Sequence, residues 1–408
     1  MRIAEVNMMH VGSTGKIMFG IAEIASSLGN EVHTFSPIYY EKGKKMDAVE
    51  IHNHLYFGTL RETIAHYIFA EITGFHGFGS YFGTKQLIQQ LKKIQPDIIH
   101  LHNLHNFTIN IPELFSYIKK EKVKTVWTLH DCWAMTGKCP YFDLVECEKW
   151  KTGCNKCLAL HDYPKAYIDQ VRLMWKLKRK WFTGIDNMTL VTPSKWLANI
   201  VQESFLSDYP VKVIHNGIDL RIFTPSHNKE IYQKYKIPHD KHIVLGVAFD
   251  WGKRKGLDVF IELAKRLSNE YQIIMVGTND VVDQILPSQI LSIHRTQDQK
   301  ELASLYSIAD VFINPTREDN FPTVNLESLA CGTPVITFNT GGSPESINNH
   351  CGICIEIDDI DNLERSIYTV CENHLFTTEK CIENATLFSQ RDKFTEYVRL
   401  FEQIVAKG

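Results

Sequence analysis

One stretch in the second half of the chain decides the fold: REDNFPTVNLESLACGTPVITF, residues Arg317–Phe338. A polar, acidic run leads into a helical pattern over Val324–Cys331, which ends at a glycine turn. The apolar run Pro334–Phe338 then follows, with the length and composition of a buried strand. A loop, a helix, a glycine turn and a buried strand in this order indicate one repeat of an α/β domain with a covered parallel sheet.

The same alternation of strands and helices continues on both sides of this stretch. The predicted strands are Ile3–Met9, Glu31–Phe35, Asp97–Leu101, Val123–Leu129, Met188–Val191, Val211–Ile214, His242–Phe249, Tyr271–Val276, Val311–Ile313 and Pro334–Phe338. The predicted helices are Ile17–Leu28, Lys85–Ile94, Ile111–Lys120, Lys165–Phe182, Lys255–Ser268, Lys300–Ser307 and Val324–Cys331. We therefore expect an α/β protein with two doubly wound, Rossmann-like domains.

The pattern also predicts where the domains begin and end. Residues 1–206 form the first domain, which is interrupted at 131–162 by an insertion rich in cysteine, aromatic residues and glycine. Residues 207–388 form the second domain, with the strand at Val211–Ile214 as its first. The last segment, 389–408, has apolar side chains at helical spacing and is expected to pack back on the first domain. Two such domains facing each other leave a ligand-binding cleft between them.

The composition excludes several classes of protein. Of the 408 residues, 44% are hydrophobic and 22% are charged, which suits two cores and not a disordered chain. A net charge of −3 gives no general basic field, so we expect no nucleic-acid partner. No run approaches the roughly 20 apolar residues of a membrane-spanning helix, and the polar start of the chain does not resemble a signal peptide. We therefore expect a cytoplasmic protein.

Three consecutive cations follow a predicted strand. Lys253, Arg254 and Lys255 precede Gly256, which opens a helix. Cationic side chains beside the free amides of a helix start are typical of a phosphate site. The alternative is a solvated charged turn, because runs of like charge usually lie on the surface. The sequence leaves both interpretations open.

Two carboxylates, Asp319 and Glu327, flank the helix start in the stretch quoted above, and an Ala-Cys-Gly-Thr-Pro-Val-Ile turn and strand follow them. This pattern resembles the donor-binding signature of the family-4 retaining glycosyltransferases of the GT-B fold. The resemblance implies that Glu327 binds the donor ribose and that Asp319 faces the transferred sugar. The family more commonly has glutamate at the first position, and because Glu318 stands one place earlier, either residue is a candidate. A third interpretation is that the carboxylates cap the helix.

Further segments resemble the same family in the same order along the chain. The resemblance implies catalytic roles for His130, Asp319, Arg254 and Lys255. It implies donor-binding roles for Gly12, Gly15, Asn216, Gly217, Glu318, Asn320, Phe321, Thr323, Val324 and Glu327. It also makes His102 and Asn103, which follow a strand in the first domain, candidates for contacts with the acceptor. A histidine such as His130 can instead be a satisfied structural group.

Five of the ten cysteines lie in the insertion, and four of them, Cys139, Cys147, Cys154 and Cys157, are candidate metal ligands. The last two form a Cys-x2-Cys pair, the spacing that structural zinc favours. Thiolate ligands would fold a segment that has few apolar residues of its own. Two alternatives remain, which are reduced, buried cysteines and a redox-active disulfide.

A basic helix follows the insertion. Its part Arg172–Phe182 has five cations, no acidic residue and two tryptophans. Such a helix suits an anionic bilayer surface, with cations on the phosphates and aromatic rings at the interface. The alternative is an amphipathic helix that packs its aromatic residues on the domain core.

The resemblance implies a retaining glycosyltransferase that moves a sugar from a nucleotide diphosphate sugar to a growing glycan or a polyprenyl-diphosphate-linked acceptor. It also implies a role in bacterial capsule, exopolysaccharide or lipopolysaccharide synthesis, in the cytoplasm or on the inner face of the membrane. Arg254 and Lys255 would stabilise the departing diphosphate, so no catalytic metal is expected, and Asp359-Ile360-Asp361 is interpreted as a helix cap. The alternatives are a nucleotide-sugar epimerase or hydrolase, and a non-catalytic nucleotide-sugar-binding subunit.

Overall fold

The structure is a computed structural model that describes residues 1–41, 44–46, 53–105 and 107–407. The chain forms two compact units. Unit 1 comprises Met1–His215 together with the segment that begins at Arg391, and unit 2 comprises Asn216–Gln390. The chain therefore leaves unit 1, completes unit 2 and returns to unit 1 for its last helix.

The described residues form strands and helices in alternation. The strands are β1 (Arg2–Val6), β2 (Glu31–Pro37), β3 (Tyr39–Glu41), β4 (Lys44–Met46), β5 (His54–Phe57), β6 (Ile98–Leu101), β7 (Thr125–Thr128), β8 (Met188–Thr192), β9 (Val211–Val213), β10 (His242–Val247), β11 (Tyr271–Val276), β12 (Ile290–Ile293), β13 (Val311–Asn314), β14 (Val335–Phe338) and β15 (Gly352–Ile355). The helices are α1 (Gly12–Ser27), α2 (Leu60–Thr73), α3 (Tyr81–Ile94), α4 (Ile111–Glu121), α5 (Val171–Phe182), α6 (Lys195–Gln202), α7 (Glu230–Tyr235), α8 (Leu257–Arg266), α9 (Asp280–Asp283), α10 (Gln299–Ser307), α11 (Thr323–Ala330), α12 (Ile360–Asn373), α13 (Thr378–Thr386) and α14 (Gln390–Ala406).

Each unit is built on a parallel sheet. The seven-stranded sheet of unit 1 has the order β5-β2-β1-β6-β7-β8-β9. The six-stranded sheet of unit 2 has the order β12-β11-β10-β13-β14-β15. In both sheets the first strand lies inside the sheet and the chain winds outward in two directions, which is the doubly wound arrangement. The prediction of an α/β protein with two Rossmann-like domains is confirmed.

The strands of unit 2 are apolar on both faces because both faces are covered. Val244 and Leu245 are neighbours on β10, yet they belong to different hydrophobic clusters on opposite sides of the sheet. Ile273 and Ile274 on β11 divide in the same way. Successive side chains of a strand point to opposite faces, so a continuous apolar run marks a strand buried on both sides.

Helix α14 completes the core of unit 1. Its side chains Phe394, Val398 and Phe401 are buried in one cluster with Ile3 of β1 and Ile98 of β6. These three positions recur at helical spacing, so one stripe of the helix faces the sheet and the opposite stripe faces solvent. The two ends of unit 1 are thus held together by an apolar contact.

The structure corrects the place of the strand predicted at Val211–Ile214. The sequence pattern predicts that this strand opens the second domain, but β9 pairs with β8 in the sheet of unit 1, with Leu190 opposite Val211. The chain passes to unit 2 after His215 and not after residue 206. A three-residue strand carries too little apolar sequence to indicate which of two sheets it joins.

Helices α1 and α5 are among those that begin at residues other than those predicted. Helix α1 begins at Gly12, so the glycine-rich segment forms its first turn and does not precede it. Helix α5 begins at Val171 and not at Lys165. The Asp169 carboxylate accepts hydrogen bonds from the backbone amides of Cys157 at 2.8 Å and Val171 at 3.1 Å, which fixes the preceding residues in a turn.

Candidate functional site

The predicted basic turn of unit 2 lies between β10 and α8. Lys253–Lys255 form a 3₁₀ turn, and the helix begins only at Leu257. Gly256 has a φ of +75°, and a Cβ there would lie 2.5 Å from the carbonyl oxygen of Pro315, so a glycine is required. The turn after β10 therefore packs on the loop after β13. Since β10 and β13 are parallel neighbours, both loops lie at the carboxyl edge where doubly wound sheets bind ligands.

A salt bridge joins these two loops. Lys255 Nζ donates to Asp319 Oδ2 at 2.5 Å, and each side chain is only 18% exposed. The Arg254 guanidinium donates to the backbone carbonyl of Glu318 at 3.3 Å. A solvated charged turn would leave these cations in water, so that alternative does not fit. The structure thus brings together three of the four predicted catalytic residues, which are Arg254, Lys255 and Asp319.

A buried arginine holds the basic turn in place. Arg317 donates to Asp258 at 2.8 Å, to Asp358 at 2.8 Å and to the backbone carbonyl of Lys253. Its hydrogen bonds, chiefly to Asp258, raise the pKa of this guanidinium above its ordinary value and keep it charged. Sequence reasoning missed this role, although Arg317 opens the stretch that decides the fold.

The structure separates the two candidate carboxylates. Glu318 is buried, whereas Asp319 is half-buried and holds Lys255. Gly341 fixes the Asp319 backbone from another side, because its φ is +52° and a Cβ there would lie 1.7 Å from the Asp319 carbonyl oxygen. The turn after β14 that contains Gly341 therefore packs on the loop that contains Glu318 and Asp319, which we call the acidic loop. Asp319 is the residue of this loop that presents its carboxylate to the basic turn.

Glu327 lies on α11 and is oriented by a tyrosine. Its Oε2 accepts a hydrogen bond from the Tyr306 hydroxyl at 3.1 Å. Burial, together with the nearby Glu327, raises the pKa of Tyr306 well above its ordinary value, so the hydroxyl stays a donor. The helix-capping interpretation is wrong, because Pro322 precedes α11, no side chain caps it and its first turn has no acidic residue. Tyr306 lies on a different helix, so no local motif reveals it.

The other polar and apolar residues predicted to bind the donor surround α11. Asn320 and Phe321 are buried, and the Phe321 carbonyl accepts a hydrogen bond from Asn216 Nδ2 at 3.4 Å. Thr323 and Val324 are half-buried and form the first turn of the helix. Their donor-binding roles stay predictions, but the structure places all five beside the acidic loop.

Two of the three predicted glycines make close backbone approaches. A Cβ at Gly217 would lie 2.5 Å from the Gln390 Cα, and one at Gly15 would lie 2.7 Å from the His10 carbonyl carbon. At these two positions a missing side chain admits another part of the chain. Gly12 is the first residue of α1. That Gly12 and Gly15 also admit a ligand stays a prediction.

Unit 1 contains a chain of hydrogen-bonded acidic and imidazole side chains. Glu5 on β1 lies opposite His100 on β6, and both are fully buried. Glu5 Oε2 lies 2.7 Å from His100 Nδ1 and 2.9 Å from His102 Nε2. His102 Nδ1 lies 3.0 Å from His130 Nε2, and the two rings are stacked. Sequence reasoning missed Glu5 and His100. Polar residues at alternate positions of the apolar run Ile98–His102 are the signal that could have found them.

Burial sets the charge of these imidazoles. It lowers the pKa of His100 and His102 to about 3 and that of His130 to about 4. It also raises the pKa of Glu5. The charged form of a buried group is disfavoured, so the three histidines are neutral at pH 7. His130 is only half-buried, so it is the solvent-accessible end of this series of histidines.

Asp131, next to His130, is the centre of a second polar cluster. Its Oδ2 accepts hydrogen bonds from His105 Nε2 at 2.9 Å and from Asn103 Nδ2 at 3.4 Å, and its Oδ1 accepts one from the Trp133 amide at 2.9 Å. Burial acts to raise the pKa of Asp131, but His105 and the Trp133 amide outweigh it, so the pKa lies below its ordinary value. Asn103, which is predicted to contact the acceptor substrate, is thus hydrogen-bonded to Asp131.

The four candidate metal ligands of the insertion, Cys139, Cys147, Cys154 and Cys157, are free thiols. Burial raises the pKa of Cys139 to about 12 and that of Cys154 to about 11. Over the described ranges, the group of three metal-capable side chains whose ligand atoms lie within 4.8 Å of one another is Glu5, His100 and His102, and not the cysteines. Glu5 Oε2 is hydrogen-bonded to His102 Nε2 and lies close to His100 Nδ1, so short contacts in the core of unit 1 account for that group.

Helix α5 packs its aromatic residues on the core of unit 1. Trp175 and Phe182 are buried, and so is the cation Lys178. The packing alternative is therefore the one that the structure supports, and these aromatic rings are not available to a bilayer surface. The exposed cations are Arg172, Lys176, Arg179 and Lys180. In the part of the chain that the structure describes, no helix has both the length and the apolar character that crossing a bilayer requires.

Known proteins match both units. The model described as Glycosyltransferase Family 4 matches residues 21–222, and the model described as Glycosyl transferases group 1 matches residues 227–388. WcaC of Escherichia coli (strain K12), which is named as a colanic acid biosynthesis glycosyl transferase, is 25% identical over 323 residues that cover 76% of this chain and 77% of WcaC. The N,N'-diacetylbacillosaminyl-diphospho-undecaprenol alpha-1,3-N-acetylgalactosaminyltransferase of Campylobacter jejuni is 24% identical over 201 residues that cover 46% of this chain and 53% of that enzyme.

A solved structure shares the fold over the whole length. Alr3699/HepE of Anabaena in complex with UDP-glucose aligns over 100% of both chains, with a TM-score of 0.68 and 14% sequence identity. The two family models follow one another along the chain and together span most of it. Neither the epimerase nor the hydrolase alternative is favoured by these matches. The chain accordingly belongs to glycosyltransferase family 4 and is a glycosyltransferase of the GT-B fold.

Proposed function

We propose that this glycosyltransferase moves a sugar from a nucleotide diphosphate sugar to a growing glycan or a polyprenyl-diphosphate-linked acceptor, with retention of the anomeric configuration. The product would be a bacterial surface polysaccharide. The names of two relatives support this, because one specifies colanic acid biosynthesis and the other an undecaprenol diphosphate acceptor. Alr3699/HepE, which shares the fold, binds UDP-glucose. The observation that carries the proposal is the Lys255–Asp319 pair beside Arg254.

In this proposal unit 2 binds the donor. Arg254 and Lys255 contact the diphosphate and stabilise the negative charge that develops as it departs. The diphosphate competes with Asp319 for Lys255, so donor binding releases the Asp319 carboxylate to hydrogen-bond the transferred sugar. Glu327, oriented by Tyr306, binds the ribose hydroxyls. Since side-chain cations supply the positive charge, the proposal requires no catalytic metal ion.

The imidazoles of unit 1 are proposed to act on the sugar and the acceptor. Neutral His130 hydrogen-bonds the transferred sugar and stabilises an oxocarbenium-like centre. His102 is fully buried between Glu5 and His130, so it does not contact the acceptor as predicted and instead fixes the His130 ring. Asn103 is half-buried and stays the candidate for an acceptor contact. The acceptor hydroxyl attacks from the face that the diphosphate leaves, and a diphosphate oxygen takes its proton.

The test is a donor panel. The purified protein is incubated with UDP-, GDP- and ADP-sugars, with and without a lipid-linked acceptor extract, and the released nucleotide diphosphate and the glycan product are measured. Lys255→Ala should lower the transfer rate by about 10²- to 10³-fold, because a preorganised charge is lost from the transition state. Lys253→Ala is the matched control, since this cation of the same turn is exposed and should be dispensable.

Each outcome separates the proposal from its alternatives. Release of one nucleotide diphosphate that depends on acceptor and is lost in Lys255→Ala supports sugar transfer. Release without acceptor indicates a hydrolase, and isomerised donor indicates an epimerase. Donor binding without any turnover indicates a non-catalytic subunit, and appearance of activity in Asp319→Glu would support that interpretation. Failure to bind any donor overturns the proposal.

We also propose that unit 1 contacts the inner face of the cytoplasmic membrane through α2. Four apolar side chains, each one helical turn after the last, form an exposed stripe on this helix: Leu60 at 38%, Ile64 at 48%, Ile68 at 49% and Ile72 at 54%. Exposed Tyr167 extends the stripe, because its amide donates to the Glu71 carbonyl at 2.8 Å at the end of α2. The end of α2 adjoins the residues before α5, because a Cβ at Gly74 would lie 2.3 Å from the carbonyl oxygen of Ile168. Helix α5 carries exposed cations, and an apolar helix face together with cations suits an anionic bilayer surface.

Vesicle sedimentation tests this contact. The protein should bind phosphatidylglycerol vesicles more strongly than phosphatidylcholine vesicles, and the double variant Ile64→Glu/Ile68→Glu should lose binding to both. Leu387→Glu places the same charge at an exposed leucine of unit 2 and should bind like the unmodified protein. Equal binding by all three proteins would contradict a role of α2.

A further inference from the structure

Polar side chains from two neighbouring strands of unit 1 meet at one edge of its sheet. Asn103 and His105 follow β6, and Asp131 follows β7, which is parallel to β6. The Met8 amide, which follows β1, donates to the Asn103 carbonyl at 2.9 Å. The chain winds in opposite directions from the adjacent strands β1 and β6. The carboxyl edge at such a reversal is where doubly wound sheets bind ligands.

Tyr163, which directly follows the insertion, reaches this edge. Its hydroxyl lies 3.3 Å from His105 Nδ1, and the two rings meet edge to face with centroids 6.0 Å apart. Because a carboxylate only accepts hydrogen bonds, His105 donates to Asp131 through Nε2. In the neutral imidazole Nδ1 is then an acceptor, so the Tyr163 hydroxyl donates to it. One imidazole therefore connects Tyr163 to the residue beside His130.

The two ends of Tyr163 have different surroundings. The residue as a whole is 52% exposed. Burial nevertheless raises the pKa of its hydroxyl above the ordinary value, which shows that the hydroxyl end is the enclosed part. The exposed area therefore lies along the ring, away from the hydroxyl. An aromatic ring with a fixed polar tip and an open apolar face suits a pyranose sugar, whose C–H groups form an apolar face of similar size.

Hydrogen bonds on both sides of Tyr163 fix its loop. The preceding residue is Asp162, whose carbonyl accepts a hydrogen bond from Lys138 Nζ at 2.7 Å. On the other side, the Ala166 amide donates to the Leu160 carbonyl at 3.0 Å and closes the loop. Lys138 is only 2% exposed, so it supports the loop and does not present its amine to a ligand. A ring on a loop fixed in this way loses little conformational freedom when a ligand binds.

The charges near Tyr163 disfavour an acidic ligand. Asp131 is ionised at pH 7, because its pKa lies below the ordinary value. The Asp162 side chain, next to Tyr163, is exposed. Lys165, the nearest lysine that follows along the chain, lies 3.5 Å from the Glu71 carboxylate. Carboxylates repel another anion, so an uncharged sugar ring fits this place better than a uronic acid or a phosphate.

We propose that Tyr163 forms an acceptor subsite of unit 1, in which a neutral pyranose ring of the acceptor glycan packs on the exposed face of its aromatic ring. This inference rests on the proposed function, since it assigns part of the acceptor site of a sugar transferase. His105 holds the Tyr163 hydroxyl and so fixes the direction of the ring. Asn103, the candidate for an acceptor contact, donates to the same carboxylate as His105, so the two acceptor contacts are adjacent. The insertion thus serves to recognise the acceptor.

The experiment measures steady-state kinetics with a soluble acceptor. The acceptor is the mixture of oligosaccharides released by mild acid from the lipid-linked extract, and the donor is the one that the panel identifies. Tyr163→Ala should raise the acceptor KM roughly 10-fold, as loss of an aromatic contact does, and leave the donor KM unchanged. Tyr81→Ala is the matched control, because it removes an exposed tyrosine of α3 and should leave both constants unchanged.

Two further variants separate the ring from its volume and from its hydroxyl. Tyr163→Phe keeps the ring and should keep the acceptor KM within about threefold, whereas Tyr163→Leu keeps an apolar side chain without a ring and should resemble Tyr163→Ala. These variants also serve where Tyr163→Ala fails to fold. Equal acceptor KM values for Tyr163→Phe and Tyr163→Leu, or an unchanged KM in Tyr163→Ala, would overturn the subsite while leaving sugar transfer intact. Absence of transfer by the unmodified protein would overturn the proposed function itself.

Saturation-transfer NMR tests the class of sugar without turnover. Glucose should receive saturation from the unmodified protein, more strongly than glucuronic acid, which has the same ring and a carboxylate. The glucose signal should fall in Tyr163→Leu and persist in Tyr163→Phe. A glucuronic acid signal as strong as that of glucose, or a glucose signal that does not depend on the ring of Tyr163, would contradict a neutral-sugar subsite at this residue.

Discussion

Glu5 is expected to affect the proposed site of unit 1 through other side chains. It is fully buried, and through His102 it contacts the histidine proposed to meet the sugar. Glu5→Gln keeps the size of the side chain but replaces the carboxylate that His102 Nε2 contacts at 2.9 Å by an amide, which also donates hydrogen bonds. We expect kcat to fall by roughly 10- to 100-fold with little change in donor KM, because the ring of His130 is no longer fixed.

Steady-state kinetics across pH check this prediction. Glu5→Asp restores the charge and should recover part of kcat, which a purely structural role of the side-chain volume would not give. Glu31→Gln, an exposed position on the neighbouring strand, is the control and should behave like the unmodified enzyme. An unchanged kcat and pH profile in Glu5→Gln would show that the buried carboxylate does not position His130.

At the scale of elements, the strands missed by sequence reasoning share a place in the sheets. The strands β5, β12 and β15 lie at sheet edges, and so does β9, whose sheet the sequence pattern assigns wrongly. A central strand such as β11 is buried on both faces and reads as an apolar run, whereas an edge strand such as His54–Phe57 is half-buried and mixed in composition. The central strands and the acidic loop were therefore predictable from local sequence. The chain of imidazoles was not, because it joins residues that meet only when β1 and β6 pair.

Helix α14 contributes to the stability of unit 1 through its buried apolar side chains. Phe401 is fully buried against the sheet, so Phe401→Ala should destabilise unit 1 by about 3–5 kcal/mol through lost burial and the cavity left behind. This lowers the melting temperature of unit 1 by roughly ten degrees, as differential scanning calorimetry can measure. Glu402→Ala, at the next and exposed position, should leave the melting temperature within a degree or so. A common melting temperature for the two variants would mean that α14 does not stabilise unit 1.

At the scale of the whole molecule, buried imidazoles make unit 1 sensitive to acid. Burial lowers the pKa of six of its histidines, to about 4 for His54, His66 and His130 and to about 3 for His76, His100 and His102. In the unfolded chain these groups titrate near 6.5, so between pH 6.5 and about 3 the unfolded chain binds more protons. Their contribution to stability is therefore complete above pH 6.5 and is lost as the pH falls.

Calorimetry at a series of pH values measures this loss. The melting transition of unit 1 should move to lower temperature between about pH 6.5 and pH 4, and it should move further than that of unit 2, because these six histidines all lie in unit 1. A transition of unit 1 that stays constant over this range, or one that rises, would contradict the assignment of neutral, buried imidazoles.

The return of α14 to unit 1 has a consequence for synthesis on the ribosome. Residues 216–390 emerge, and can fold as unit 2, before the helix that covers part of the sheet of unit 1 has been made. Until then, Ile3 and Ile98 lack the aromatic side chains of Phe394 and Phe401 against them. A nascent or prematurely terminated chain therefore has a folded unit 2 and an exposed apolar surface on unit 1. Chaperones and quality-control proteases recognise exposed apolar surfaces of this kind. Such incomplete chains would be degraded before they could bind nucleotide sugar without transferring the sugar.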